Sequence, residues 1–265
     1  MPDKPELSLI IAVYKRTDFL ELVLQSVAVQ SCRSFEVIVA EDDDWPEMAT
    51  FIEKAREKHI FAIKHVFHED RGFRKNRILN NAIRASEGRQ LVFIDGDCIL
   101  HRHFLKEHLR LSKPNNCLFG RRVELDPAST ERLMQQKNLR DLSFSKLLFT
   151  KSRRIGDGIY LPFSICRKKS GLRGCNFSIA KEILVKINGF DEDFEKPFGG
   201  EDDDIERRLK MIGIRLKCTR FQTVQYHLYH EVGGSRHLEW LAEGREMVRR
   251  KMEEGAWYCK NGLSK

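Results

Sequence analysis

The chain has 265 residues, of which 41% are hydrophobic and 32% charged, and it carries a formal net charge of +8. Such a chain is long and apolar enough for one domain with a full core, which excludes a disordered or membrane-embedded class. The positive charge favours an acidic partner and leaves nucleic acid, an anionic membrane surface and phosphate-bearing substrates open.

Residues 7–13 (LSLIIAV) form an apolar run bounded by charge, the pattern of a buried parallel strand. The residues before it are charged and proline-containing and do not read as a signal peptide, and no apolar run is long enough to cross a bilayer. A cytoplasmic protein is therefore expected. Thr17 offers an N-cap for a helix whose apolar positions are Phe19, Leu20, Val23, Leu24 and Val27. Further strands are expected over 35–40, 60–66 and 91–94, with a helix around Ile78, Leu79, Ala82 and Ile83. Such alternation predicts an α/β fold with a Rossmann-like, mostly parallel sheet flanked by helices and ligands at the carboxyl ends of the strands. From about Arg121 to Lys169 the pattern loosens into a polar, basic stretch with a turn at Gly156-Asp157-Gly158. Order resumes from Gly171 to Tyr229, with a strand over 222–226, and a charged helix begins near Leu238. The seven cysteines are an odd number without a CxxC pair and read as reduced; Cys98, Cys117 and Cys175 suit half-buried positions.

Four groups of residues could carry chemistry. Asp95-Gly96-Asp97 ends the strand LVFI and puts two carboxylates at the sheet edge, suited to Mn²⁺ or Mg²⁺, with Gly96 leaving room for diphosphate oxygens. Aspartates also end buried strands simply as turn formers. Glu41 to Asp44 end the second strand, where an acid can hold a ribose hydroxyl or a base nitrogen. The first turn, Val13-Tyr14-Lys15-Arg16, has no glycine, which argues against a dinucleotide site. Gly199-Gly200 precede Glu201, Asp202, Asp203 and Asp204 at a helix start. One acid there complements the helix dipole, but four repel one another, and a poised general base explains the excess. His227 and His230 follow the last strand at a spacing open to either a metal or a surface pair.

Taken in order, SLIIAVYKR, FEVIVAEDD, GFRKNRILNNAI and LVFIDGDC resemble the family 2 glycosyltransferases. RGCNFSI, NGFDEDF and FGGEDDDIERRL resemble the galactosyltransferase C-terminal module. The resemblance spans Ser8 to His230 and implies the GT-A fold, with a nucleotide-sugar-binding half over 1–120 and an acceptor and catalytic-base half over 121–265. It implies that Ala12, Tyr14, Arg16, Asp42, Phe73, Lys75, Asp95 and Gly96 bind the nucleotide. Asp97, His230, His227 and Asp95 would hold Mn²⁺ or Mg²⁺, and Asp202 would be the inverting base. Glu201, Asp203, Gly200, Phe198 and Asn176 would meet donor sugar or acceptor. Two departures stand out: Glu41 where the family usually has aspartate, and Phe198 where a tryptophan often packs on the acceptor sugar.

The implied activity is transfer from a nucleotide diphosphate sugar, with UDP the expected carrier, to a glycan or lipid-linked acceptor in bacterial-type surface polysaccharide synthesis. The rivals are a sugar-phosphate nucleotidyltransferase, whose glycine-rich basic loop after the first strand is missing, and an inactive sugar- or nucleotide-binding protein. Nucleic acid is not expected as a partner, because basic residues are dispersed and not interleaved with aromatics. The basic stretch with Lys151, Arg153, Arg154, Arg167, Lys168 and Lys169 reads as an acceptor loop, a solvated face or a patch for anionic membrane. Trp240, Leu241, Met247, Val248 and Trp257 in the tail suit a helix covering the core better than one resting on a membrane.

Overall fold

The computed structural model describes residues 4–166, 171–197, 199–231 and 237–264. The chain opens with β1 (Leu7–Val13), α1 (Thr17–Ala28), β2 (Phe35–Glu41), α2 (Pro46–Lys58), β3 (Ile63–Phe67), α3 (Lys75–Ala85) and β4 (Gln90–Asp95). It continues through β5 (Cys98–Leu100), α4 (Phe104–Leu111), β6 (Asn116–Phe119), β7 (Val123–Glu124), α5 (Pro127–Gln136) and α6 (Phe144–Leu147). Then come β8 (Asn176–Ala180), α7 (Lys181–Lys186), α8 (Glu201–Met211), β9 (Arg215–Cys218), β10 (Gln225–His227) and α9 (His237–Glu254).

Seven strands form the central sheet in the order β3-β2-β1-β4-β8-β6-β9. Its first four strands are parallel, and β8 runs antiparallel to both neighbours. Helices cover both faces, which is why β1, β2 and β4 read as continuous apolar runs. Leu9 and Ile11 pack with α1, α2 and α4, while Ile10 packs with α3, α7 and α8. Ala12 is in register with Asp95, Val13 with Glu41, and Ile94 with the first residue of β8, Asn176. All these chain ends therefore meet at one edge.

A second sheet, β5-β10-β7, begins where the chain leaves β4 through Gly96 and Asp97. His227 in β10 is in register with Cys98 in β5, and the Leu228 amide donates to the Asp97 carbonyl at 2.9 Å. The crossover between sheets thus places Asp97 beside the segment that follows β10.

Several sequence expectations are corrected. Thr17 is the first helical residue, and Arg16 occupies the cap position without a side-chain cap bond. The third strand starts at Ile63, since α2 extends to Lys58 and leaves Ile60 exposed. The last strand begins at Gln225 and takes in His227. The stretch read as loose contains β7, α5, α6 and two short 3-10 turns, Leu139–Leu142 and Ile155–Gly158. Leu125, Leu133, Leu142 and Leu147 anchor it to Phe19 and Leu22 of α1. Asp126 caps α5 by accepting from the Ser129 amide.

The cysteine reading is corrected for one pair, because Cys166 and Cys218 are joined as a disulfide across 52 residues. That sequence separation carries no local signal, and the pairing arises only once β9 is in the sheet. The other five are free, and Cys98, Cys117 and Cys175 are buried. α9 covers α8: a Cβ on Gly244 would lie 2.6 Å from the Gly199 backbone, so the helix rests directly on the turn before Glu201. Among the described residues no helix is long and apolar enough to cross a membrane.

Candidate active site

At the carboxyl edge of the central sheet lies a cleft of about 560 Å³. Ala12, Tyr14, Arg16, Asp42, Phe73, Lys75, Asp95, Gly96, Asp97 and His230 line it, together with Phe19, Gly72 and Pro197. Every residue expected to bind nucleotide is among them. Asp42 is buried and doubly held, by His68 at 2.7 Å and by the Arg74 amide at 2.8 Å. Its carboxylate is fixed at the cleft wall before any ligand arrives, the preorganisation that selective binding of an N–H donor needs.

Lys75 opens α3, and its ammonium meets the Asp95 carboxylate at 2.6 Å. Burial works against its charge, but Asp95 and then Glu201 outweigh that and raise its pKa, so the cation persists in the cleft. Arg122 stands 4.0 Å from the other Asp95 oxygen. Asp95 is thereby engaged with two cations, whereas Asp97 meets the histidines. Gly96 lines the cleft, and a Cβ there would lie 2.5 Å from the Val13 side chain, so packing against β1 alone demands glycine.

His227 Nε2 lies 3.2 Å, and His230 Nε2 3.0 Å, from the same Asp97 oxygen. The three ligand atoms fall within 4.8 Å of one another. Cys98 Sγ donates to the other Asp97 oxygen at 3.2 Å. Burial disfavours the Asp97 charge, yet the two imidazoles hold its pKa well below the ordinary carboxylate range, and Asp97 in turn raises that of His230. One carboxylate and two imidazoles converging on a point fit a divalent cation, and nitrogen ligands suit a transition ion better than Mg²⁺. Asp95 is not part of this group among the described residues.

α8 begins at Glu201, and Asp202 in its first turn lies within electrostatic reach of Lys75 and Asp95. Desolvation, then the neighbouring Glu201 carboxylate, push the Asp202 pKa up to about 7, against the Gly174 amide and Lys75, which lower it. A Cβ on Gly174 would collide with the Asp202 carboxylate, so this turn must be glycine for its amide to reach the acid. A carboxyl poised near neutrality in reach of Lys75 can accept a proton from a hydroxyl.

The sequence profile of glycosyl transferase family 2 matches residues 8–184. The chain belongs to glycosyl transferase family 2. A second profile, described as the N-terminal domain of galactosyltransferase, matches residues 161–231, within the C-terminal half of this family 2 member. Validoxylamine A glucosyltransferase of Streptomyces hygroscopicus is 24% identical over 82% of this chain and 54% of its own length. Chondroitin synthase of Pasteurella multocida is 26% identical over 77% of this chain and 23% of its own. The chain thus spans about half, or less, of the length of these relatives.

Among solved structures, the mannosyltransferase PcManGT of Pyrobaculum calidifontis, in complex with GDP-Man and Mn²⁺, superposes with a TM-score of 0.64 at 19% identity. That likeness covers 94% of this chain and 65% of the other. S. aureus TarS, solved with UDP, superposes with a TM-score of 0.60 at 14% identity, covering 93% and 65%. The fold of this family 2 chain is GT-A.

Four residues expected at the sugar side of the family 2 site stand apart from the cleft or outside the described chain. Asp203 is exposed. Gly200, at φ +83, faces α9, where a Cβ would lie 2.5 Å from Val248. Asn176 is fully buried and donates to the carbonyls of Arg121 and Thr223, tying β8 to the neighbouring strands. Phe198, like Arg167, Lys168 and Lys169, lies outside the described residues.

Three further groups escaped the sequence reading. His68 holds Asp42, and Arg122 follows the end of β6 as β8 and β10 bring it to Asp95. Lys15, in a left-handed conformation at φ +47, bridges Asp43 and Asp70 at 3.1 and 3.0 Å and joins the two loops that flank the cleft. A basic residue directly after a strand, as in Phe119-Gly120-Arg121-Arg122, was the one available signal for Arg122.

Proposed function

We propose that this chain is a metal-dependent, inverting glycosyltransferase that moves a sugar from a nucleotide diphosphate donor, with UDP as carrier, to a hydroxyl of a glycan or lipid-linked acceptor. The observation that carries the reading is a cleft lined by Lys75, Asp95, Asp97 and His230, with His227 completing the Asp97 group and Asp202 within electrostatic reach of Lys75 and Asp95. The likeness to PcManGT, described with GDP-Man and Mn²⁺, and to TarS, described with UDP, supports a nucleotide sugar as donor. The relative named chondroitin synthase supports a polysaccharide setting of the bacterial surface type. In this reading residues 1–120 bind the donor and 121–265 supply base and acceptor contacts.

Asp42 receives the base through an N–H, and Phe73 and Tyr14 border it. The Lys75 ammonium lies against the diphosphate. Asp97, His227 and His230 would hold Mn²⁺ in preference to Mg²⁺. The ion supplies charge neutralisation for the departing nucleoside diphosphate. Asp202 takes the proton of an acceptor hydroxyl whose oxygen bonds the anomeric carbon as the bond to the diphosphate breaks on the opposite face. That in-line displacement inverts the anomeric centre. Glu201, beside Asp202 and in electrostatic contact with Lys75, meets the donor sugar in this reading.

Thermal unfolding against uridine and guanosine diphosphate sugars, each with Mn²⁺ and with chelator, tests this directly. A donor at 100 times its dissociation constant stabilises by about 2.7 kcal/mol. A shift with uridine diphosphate sugars that chelator removes is expected, and no shift with any nucleotide would overturn the proposal.

A further inference from the structure

The surface between α5 and β8 carries an arrangement that sugar transfer does not use. α6 sends Leu147 into the core beside α1, and the residues around it turn outward. Phe149 is 91% exposed, Leu148 53% and Phe144 37%. Lys137, Arg140, Lys146, Lys151, Arg153 and Arg154 stand among them, and Asp141 is the sole carboxylate between positions 137 and 154. Lys137 is neutralised by Glu21 and Lys146 by Asp141, both at 2.6 Å, while Arg153 and Arg154 share Glu124 at 3.4 and 3.6 Å. Among the described residues, Arg140 and Lys151 make no ion pair.

A face that meets only water has no use for a protruding Leu-Phe pair, and scattered single apolar residues do not explain three within six positions. The cations decide what covers them. A second copy of this chain brings the same excess of positive charge and is repelled, its net charge being +8. A bilayer containing anionic phospholipid satisfies both features: its phosphates meet the cations, and its acyl boundary receives Phe149 and Leu148. We propose that residues 144–154 dock the protein on an anionic phospholipid bilayer.

The placement gives the contact a consequence. Arg153 and Glu124 exchange backbone hydrogen bonds at 2.7 and 3.0 Å, and Glu124 is in register with His227 on β10. The end of this loop therefore lies one strand away from the Asp97-His227-His230 group. Under the glycosyltransferase reading, that brings the transfer site to the surface where a lipid-linked acceptor resides; the docking itself does not depend on that reading.

The test is co-sedimentation of the full chain with vesicles of phosphatidylcholine alone and of phosphatidylcholine with phosphatidylglycerol, at low and high salt. The unaltered chain is expected on the anionic vesicles, weakening by at least about tenfold on neutral ones and with added salt. The pair Leu148→Glu with Phe149→Glu, and separately Lys151→Glu with Arg153→Glu, should each cause a similar loss. These exposed positions leave thermal unfolding and nucleotide binding unchanged, which separates failed docking from misfolding and from a failed donor site. No association of the unaltered chain with anionic vesicles, or association that neither pair weakens, overturns the proposal. So does concentration-dependent self-association, in the absence of lipid, that the Leu148→Glu and Phe149→Glu pair abolishes, because it assigns the patch to a second copy.

Discussion

At the crossover from β4 to β5, both acids of Asp95-Gly96-Asp97 serve the site, whereas the four consecutive acids at the start of α8 separate within one turn. On a strand end, residues two apart share an edge, and here Asp95 meets Lys75 and Arg122 while Asp97 meets the histidines. On a helix each residue advances by a large angle, so neighbours point in different directions. Glu201 and Asp202 are in electrostatic contact with Lys75, Asp203 is exposed, and Asp204 turns inward onto Arg208 at 2.7 Å. Arg208 is itself buried and donates to the carbonyls of Ile187 and Gly189. A run of like charges can thus combine an acid with a raised pKa, a surface residue and a structural ion pair, and sequence proximity does not say which is which.

The contrast can be broken at defined points. Asp97→Ala should lower transfer by roughly a thousandfold, about 4 kcal/mol, and abolish the Mn²⁺-dependent thermal shift with nucleotide, since both histidines converge on that one carboxylate. Asp204→Ala should destabilise the fold by about 3–5 kcal/mol, read by denaturant unfolding, because it leaves Arg208 buried without its partner. Transfer per folded molecule should change far less. Asp203→Asn should alter stability by no more than about 0.5 kcal/mol and transfer by less than about twofold in steady-state assays. A large loss of transfer in that variant would mean the acids of α8 act together and would erase the distinction drawn between them.

The parallel half of the sheet was legible because strands covered on both faces are apolar throughout, and β1, β2 and β4 fall within a residue or so of expectation. α2 was not, because only Met48, Ile52 and Ala55 of its thirteen residues are buried and its remaining surface is charged. The segment from 121 to 166 read as loose since its helices are short and each is pinned by a single leucine or two. At the site, residues on strand ends and in glycine turns were visible, because acids and glycines there break an apolar pattern. His68, Arg122 and Lys15 were not, since each gains its role only from a partner 26 or more residues away. The α8 acids were recognised as an excess, but their division of labour depends on which face α9 and α7 cover.

The proton-accepting role of Asp202 is the central claim, and the most direct measurement is the pH dependence of transfer by the parent chain and by Asp202→Asn, with donor binding measured alongside. With the Asp202 pKa raised to about 7, the acid is protonated and inactive at lower pH. kcat/KM of the parent should therefore rise through neutrality and level off above it. Asp202→Asn should lose that rise and fall by about a hundred- to ten-thousandfold while binding the nucleotide sugar nearly as well. Near-normal transfer by Asp202→Asn, with the same pH rise, would contradict the account.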